Sequence, residues 1–245
     1  NYERRTPGSA LGLRFPFESF HLNGKLYLDE FDLRTYGGVS YGETEQRVTG
    51  LSQARDDAMW MAIHHKVGGA MVAKRMGWWY FDMAGGWFEP DGIAADITST
   101  LRTVQKLSGR VPTAWSPSAA FIIDENGALL RNTATYRYNA DEEKVFATQL
   151  QTLGACGVPF DIYLIDDILG KPEIASRYRT LVFGGMYSID GRRARLLNRL
   201  KSDGRTLIFL SGTGHCGGDA SMEFELLRRK GKCSHRVTAV PGTDF

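Results

Sequence analysis

The chain is 245 residues long, 42% hydrophobic and 24% charged, with a net charge of +2 at neutral pH. This composition is typical of a globular protein and excludes a disordered or strongly basic polypeptide. No apolar run approaches the roughly 18 residues that a membrane-spanning helix needs. We expect neither a membrane nor a nucleic acid as partner, and we interpret the basic cluster at residues 228–232 as solvated surface.

Two strand–helix units are predicted in the first half of the chain. An apolar strand at residues 25–29 precedes a helical pattern from 45 to about 67, which the adjacent Gly68 and Gly69 weaken or end. A second strand at 76–81 precedes a helix that follows Pro90 and ends at Gly109. This alternation predicts parallel strands joined by helical crossovers.

The second half resumes the alternation after a proline-containing linker at residues 111–117. Its strands are short, continuous apolar runs, as expected where helices cover both faces of a parallel sheet. The pattern therefore predicts a doubly wound parallel sheet. The predicted strands are 119–123, 160–165, 180–183 and 206–210, and the predicted helices are 141–153 and 189–200.

Charged side chains are concentrated where the first strand ends. Asp29, Glu30 and Asp32 stand within a few residues of Arg34, whose guanidinium would hold a neighbouring carboxylate ionised. Function in parallel α/β folds gathers at the carboxyl ends of strands, so a nucleophilic carboxylate is one interpretation. A polar loop with a surface ion pair is the other.

An aromatic segment follows the second strand, with three tryptophans between residues 77 and 88. Aromatic rings with a polar edge suit a cleft that binds carbohydrate, although a plain aromatic core fits the same residues. Asp82 is a candidate acceptor for an indole N–H in this segment.

The segments Gly24–Glu30 and Gly77–Asp82, and the order of the two domains, resemble the clan A glycoside hydrolases and, within them, the family 42 β-galactosidases. The first segment is similar to a seventh barrel strand that ends in the nucleophilic Glu, and the second is similar to an aromatic eighth strand. The resemblance implies that residues 1–110 are the C-terminal part of a (β/α)8 barrel. It implies that residues 111–245 form a flavodoxin-like domain, similar to class I glutamine amidotransferases and truncated at its C-terminus.

The resemblance implies a retaining hydrolase of β-galactoside-like bonds, with Glu30 as nucleophile and Asp29 as the competing candidate. Asp32 and Arg34 would orient Glu30 and balance its charge. Trp79 and Trp87 would be the surfaces on which the sugar stacks. The implied substrate-binding residues are Tyr2, Asp32, Arg34, Trp79, Asp82 and Trp87.

The resemblance also implies that part of the enzyme is missing here. No Asn-Glu dipeptide, which supplies the acid/base of the clan, occurs in the chain, and the first residue is Asn1 rather than Met. We therefore expect a segment of a longer protein that is inactive by itself. The implied partners are a carbohydrate substrate and two further copies of the chain in a trimer.

Other functions remain open. One is a non-catalytic oligomerisation or binding module, and another is a nucleotide- or flavin-binding domain, although the first β/α turn lacks G-x-G-x-x-G. The glycine-rich segment Ser211–Gly218 lacks the Gly-Lys-Ser/Thr ending of a phosphate loop and is interpreted as a tight turn. Its neighbours His215 and Cys216 are a weak candidate for a cysteine nucleophile.

No cofactor or metal is expected. Adjacent His64 and His65 on a helix should point about 100° apart and fail to share one metal ion. The three cysteines form no metal-ligand spacing, and this sparse, odd set predicts reduced thiols, which fits a cytoplasmic protein. Asp166 and Asp167 follow a strand and are predicted to cap the next helix.

Overall fold

The computed structural model describes residues 9–10, 15–38, 53–82, 85–107, 117–130, 149–210 and 213–214. The chain divides into two compact units. The first unit contains residues 1–13 and 20–115, and the second contains residues 14–19 and 116–245. Both are mixed α/β, and every strand pair among the described residues is parallel. The predicted α/β class with parallel sheets is therefore confirmed.

Among its described residues, the first unit contains two short parallel sheets and two long helices. Its elements in chain order are β1 (Leu28–Phe31), β2 (Arg34–Thr35), β3 (Gln53–Ala54), α2 (Asp57–Ala73), β4 (Gly77–Tyr80) and α3 (Asp91–Leu107). Strand β1 pairs with β4, and β2 pairs with β3.

Helix α2 differs from its prediction at both ends. It begins after Asp56, whose carboxylate accepts a hydrogen bond from the backbone N–H of Met59 at 2.8 Å. Strand β3 lies inside the range predicted as helix. The helix continues through Gly68 and Gly69 to Ala73. Gly68 is buried against the Trp78 indole, which lies 3.9 Å from where a Cβ would be. This is an ordinary van der Waals contact, and the two glycines, which cost a helix roughly 1 kcal/mol each, do not end it.

Strand β1 lies further along the chain than predicted. It covers Leu28–Phe31, so that Glu30 is inside the strand rather than after it. Helix α3 begins after Pro90 as predicted and is described to Leu107, whereas its predicted end at Gly109 lies outside the described residues. Ile93 is buried, whereas Leu101 is 47% exposed and Leu107 is 42% exposed.

The second unit contains one sheet of four parallel strands in the order β6-β5-β7-β8. Numbered along the chain this is 2-1-3-4, the order with which a flavodoxin-like sheet begins. The strands are β5 (Ala119–Ile123), β6 (Phe160–Leu164), β7 (Thr180–Gly184) and β8 (Thr206–Phe209). The helices are α4 (Gln149–Ala155), α5 (Ile165–Gly170) and α6 (Gly191–Ser202), with 3-10 turns at Glu125–Leu130 and Pro172–Arg177.

Two residues of the second unit that precede residue 20, Glu18 and Ser19, bond to strand β6. Both lie in a short helix, α1 (Phe17–Leu22). The Glu18 carboxylate accepts a hydrogen bond from the Ile162 N–H at 2.7 Å, and the Ser19 hydroxyl accepts one from the Leu164 N–H at 2.8 Å. Side chains thus satisfy backbone donors that an edge strand would otherwise expose.

Helix α5 departs from its predicted capping. Asp166 and Asp167 lie in its first turn, where a negative charge is favourable, but the N-cap position is Leu164, which makes no side-chain capping bond. The predicted helix over 141–153 is described only from Gln149 onward. Among the described residues, no helix is both long and apolar enough to cross a membrane.

Candidate active site

The two faces of the β1–β4 sheet are chemically different. The Phe31 ring lies 5.5 Å from the Trp60 ring and 5.4 Å from the His64 ring, both on α2. The Tyr80 hydroxyl lies 2.7 Å from Nε2 of the same His64. One face of the sheet therefore packs on α2.

Glu30 and Trp79 occupy the opposite face. They are aligned across the parallel pair, and each immediately precedes a residue that faces α2. Because successive side chains of a strand alternate between faces, both project away from the helix. Glu30 is exposed and Trp79 is 44% exposed, with the Phe81 ring 5.2 Å from the indole. An acidic group thus stands beside an accessible aromatic surface.

The competing carboxylate, Asp29, lies on the α2 side. It is aligned with Trp78, whose indole packs against Gly68 of α2. Of the two adjacent acids, only Glu30 therefore projects from the face away from α2.

Trp87 is held in place by polar groups on both sides of its backbone. The Thr35 hydroxyl donates a hydrogen bond to its carbonyl. The Asp82 carboxylate accepts hydrogen bonds from the Trp87 N–H at 2.9 Å and from the Gly85 N–H at 2.6 Å. The guanidinium carbon of Arg34 lies 5.7 Å from the centroid of the Trp87 ring, a cation–π contact that fixes the cation.

Two details of the sequence interpretation are wrong. Trp87 is only 2% exposed, so its ring packs inside the unit and is not an open sugar platform. Asp82 bonds backbone N–H groups rather than an indole, because the glycine-containing loop after β4 turns its own amides toward the carboxylate. Asp32 and Arg34 are both buried. Their proposed action on Glu30 stays a prediction. Tyr2 lies outside the described residues.

A second polar cluster lies between α2 and α3. The sequence pattern drew attention to its two histidines but not to Asp96. The Asp96 carboxylate forms a hydrogen bond with each histidine. One oxygen lies 2.6 Å from Nδ1 of His64, and the other lies 2.6 Å from Nε2 of His65. The indole N–H of Trp60 donates to it at 2.9 Å. The expectation that the adjacent histidines diverge is wrong for their ring nitrogens, because both side chains bend toward one residue of the neighbouring helix.

The protonation of this cluster follows from its burial and contacts. Burial lowers the pKa of His64 below its ordinary value, and the bond to Asp96 offsets this only in part. Burial by itself would raise the pKa of Asp96, but the hydrogen bonds from His64 and His65 outweigh it, and the pKa lies below the ordinary value. Asp96 is therefore a carboxylate that two imidazoles stabilise.

At the carboxyl edge of the second sheet, Asp124 follows β5 and forms an ion pair with Arg193. Asp124 is 2% exposed, and its carboxylate lies 3.2 Å from Nε of Arg193 on α6. Burial raises the pKa of Asp124, opposed by this cation. Of the glycine-rich segment that follows β8, only Thr213 and Gly214 are described, so its interpretation as a tight turn stays a prediction.

Comparisons with known proteins bear on the fold. No protein-family model and no curated protein matches the chain. A solved structure of a catalytic mutant of Gan42B, a GH42 β-galactosidase from G. stearothermophilus, matches with a TM-score of 0.50 and 16% identity over 74% of this chain and 26% of that one. Another Gan42B structure matches with a TM-score of 0.49 and 16% identity over 75% of this chain and 27% of that one. The chain is thus similar in fold to the catalytic-mutant structure. It spans about a quarter of the length of both Gan42B chains.

Proposed function

We propose that this chain is the C-terminal part of a retaining glycosidase that cleaves β-galactoside-like bonds, with Glu30 as its nucleophile. Residues 1–110 would provide the last two β/α units of a (β/α)8 barrel. Residues 111–245 would form a flavodoxin-like domain that assembles the full protein as a trimer. The proposal depends on one observation, the alignment of Glu30 with Trp79 on the face of the β1–β4 sheet that points away from α2.

The position of α2 indicates which face of the β1–β4 sheet would line the inside of a barrel. In a (β/α)8 barrel the helices form the outer ring, so side chains that project away from them point into the barrel, and catalytic residues lie at the carboxyl ends of strands. Glu30 is the penultimate residue of β1 and points away from α2. It therefore meets both conditions for a catalytic residue.

The chemistry follows from a carboxylate in this position. Glu30 would attack the anomeric carbon and form a glycosyl-enzyme, while an acid/base carboxyl about 5–5.5 Å away protonates the leaving oxygen and then activates water. A barrel has eight β/α units and the first unit of this chain contributes two. The acid/base would accordingly come from outside this chain, and the isolated chain would not turn over substrate.

The surrounding residues support the nucleophile in different ways. Trp79 offers a half-exposed ring on which a sugar can stack. Trp87 is buried, and its cation–π contact with Arg34 holds that cation in place. Asp82 and Thr35 in turn hold the backbone of Trp87. We propose that these buried contacts hold the residues around the sugar-binding surface in position.

Covalent trapping tests the assignment directly. The longer protein that carries this chain is treated with 2,4-dinitrophenyl 2-deoxy-2-fluoro-β-galactoside, whose good leaving group needs little acid assistance and whose fluorine slows hydrolysis of the glycosyl-enzyme. Peptide mass mapping should find the fluorogalactosyl group on Glu30. A label on Asp29, or inactivation with the label elsewhere, would contradict the proposal.

The alternative is a non-catalytic oligomerisation or binding module, favoured by the presence of only two β/α units in the described first unit. Such a protein would form a homogeneous oligomer, take no covalent label and bind no galactoside. Sedimentation and calorimetric titration with galactose distinguish it from the enzyme fragment, which should bind the sugar.

A further inference from the structure

The buried cluster between α2 and α3 has the composition of a metal centre. His64, His65 and Asp96 each direct a donor atom toward the others, and these atoms all lie within 4.8 Å of one another. His64 is fully buried and the Asp96 side chain is 5% exposed, whereas the His65 side chain is 57% exposed. The cluster lies on the side of β1–β4 that faces α2, away from Glu30.

We propose that these three residues bind a divalent transition-metal ion of the Zn²⁺ class and thereby link α2 to α3. Two imidazole nitrogens and a carboxylate oxygen are a set that Zn²⁺ accepts, with a fourth position left for water. The exposed edge of His65 provides both the entry path and the location for that water. This inference is independent of the proposed function of Glu30.

The charge of the cluster favours a cation. The groups that bond to Asp96 in this cluster are two imidazoles and an indole, none of which carries a permanent charge. A buried carboxylate costs free energy unless it is paired with a cation or binds a metal. A divalent ion between the imidazoles and the carboxylate would supply that positive charge.

The surrounding bonds also suit a metal. A metal-bound histidine donates its other ring N–H to a partner that fixes the ring. The Tyr80 hydroxyl lies 2.7 Å from Nε2 of His64, and because a hydroxyl both donates and accepts, it suits the imidazole with or without a metal on Nδ1. The Trp60 indole bonds Oδ2 of Asp96 at 2.9 Å and so orients the third ligand.

Metal titration of the whole chain tests the proposal. After removal of metals by chelation, calorimetry with ZnCl₂ should show one site per chain, and Co²⁺ should give the visible absorption of a low-coordinate complex. The His65→Gln variant, which changes an exposed side chain, should weaken Zn²⁺ binding more than about tenfold. The matched control His21→Gln changes another exposed histidine of the chain and should leave the affinity unchanged.

X-ray absorption of the Zn²⁺-loaded wild-type chain provides a readout that requires no variant. The expected spectrum has nitrogen and oxygen ligands with the scattering of two imidazoles. Sulfur ligation, no stoichiometric Zn²⁺ binding by the wild-type chain, or equal affinity in wild type and His65→Gln would each overturn the site.

Discussion

Glu30 and Trp79 are aligned on neighbouring parallel strands, and both project from the face of the β1–β4 sheet that α2 does not cover. Their neighbours Asp29 and Trp78 are aligned in the same way on the α2 face. The strand pair thus provides a carboxylate beside an indole on each face. Each substitution of Glu30 or Trp79, on the face away from α2, therefore has a matched control at Asp29 or Trp78, on the α2 face.

The first prediction concerns the two acids of β1. In the longer protein, Glu30→Gln should lower kcat on the order of 10⁴-fold or more, because the amide cannot form the glycosyl-enzyme. Asp29→Asn, one residue away on the α2 face, should retain most of the activity. Initial rates with an aryl β-galactoside measure both.

Azide rescue separates a lost nucleophile from a damaged fold. With Glu30→Gly and a 2,4-dinitrophenyl β-galactoside, azide should restore turnover and yield the α-galactosyl azide, since the anion attacks from the vacated side. An absence of rescue, or a β-configured product, would argue against Glu30 as the nucleophile.

The second prediction concerns the aromatic surface. Trp79→Ala should weaken galactoside binding about five- to tenfold, which corresponds to about 1 kcal/mol of ring stacking. Trp78→Phe keeps an aromatic ring on the α2 face and should leave the affinity unchanged. Titration calorimetry with galactose gives both constants, and equal affinities for wild type and Trp79→Ala would remove Trp79 from the site.

The third prediction concerns a buried network in the second unit. The Tyr178 hydroxyl donates to the carboxylate of Asp161 at 2.6 Å and lies 3.2 Å from the Tyr163 hydroxyl. Burial and the bond to Asp161 raise the pKa of Tyr178 above its ordinary value, so that the hydroxyl stays a donor. Tyr178→Phe should lower the free energy of unfolding by about 1–3 kcal/mol, because it removes the donor to a buried carboxylate.

Tyr163→Phe is the matched control for that network. It removes a hydroxyl that lies 3.2 Å from the Tyr178 hydroxyl, a longer contact than the 2.6 Å bond to Asp161, and it should cost less than Tyr178→Phe in urea unfolding. A larger loss for Tyr163→Phe would show that Asp161 does not depend on Tyr178.

The fourth prediction concerns the start of α6. The Asp190 carboxylate accepts a hydrogen bond from the Arg193 N–H at 2.7 Å, and this bond lowers the pKa of Asp190. Because the folded-state pKa lies below the unfolded value near 3.9, the stabilisation is present above about pH 3.9 and is lost as the pH falls through the lowered pKa. Asp190→Ala should cost about 1 kcal/mol at pH 7.

Asp190→Asn distinguishes the capping bond from its titration. The amide oxygen can still accept the Arg193 N–H, so most of the stability at pH 7 should remain. In both variants the part of the acid destabilisation that Asp190 contributes should be absent. Urea unfolding at pH 7 and pH 3 checks this, and an unchanged acid dependence in either variant would contradict the assignment.

Local periodicity was enough to predict much of the fold. Strand β5 has its predicted bounds, and helix α3 begins as the pattern after Pro90 indicated. The two-residue alternation of a strand also fixed that Glu30 and Asp29 face opposite sides, because that property depends only on neighbouring residues. Which of the two sides faces the helix could not be read from the sequence.

The tertiary structure decided the features that depend on distant residues. Helix α2 continues through Gly68, against which an indole from β4 packs. Trp87 is buried, and its backbone N–H bonds to the Asp82 carboxylate. His64 and His65 meet on Asp96, some thirty residues later in the chain. Sequence patterns record the preferences of adjacent residues, whereas these contacts form only when separate helices and strands are packed together, and that packing fixed both candidate sites.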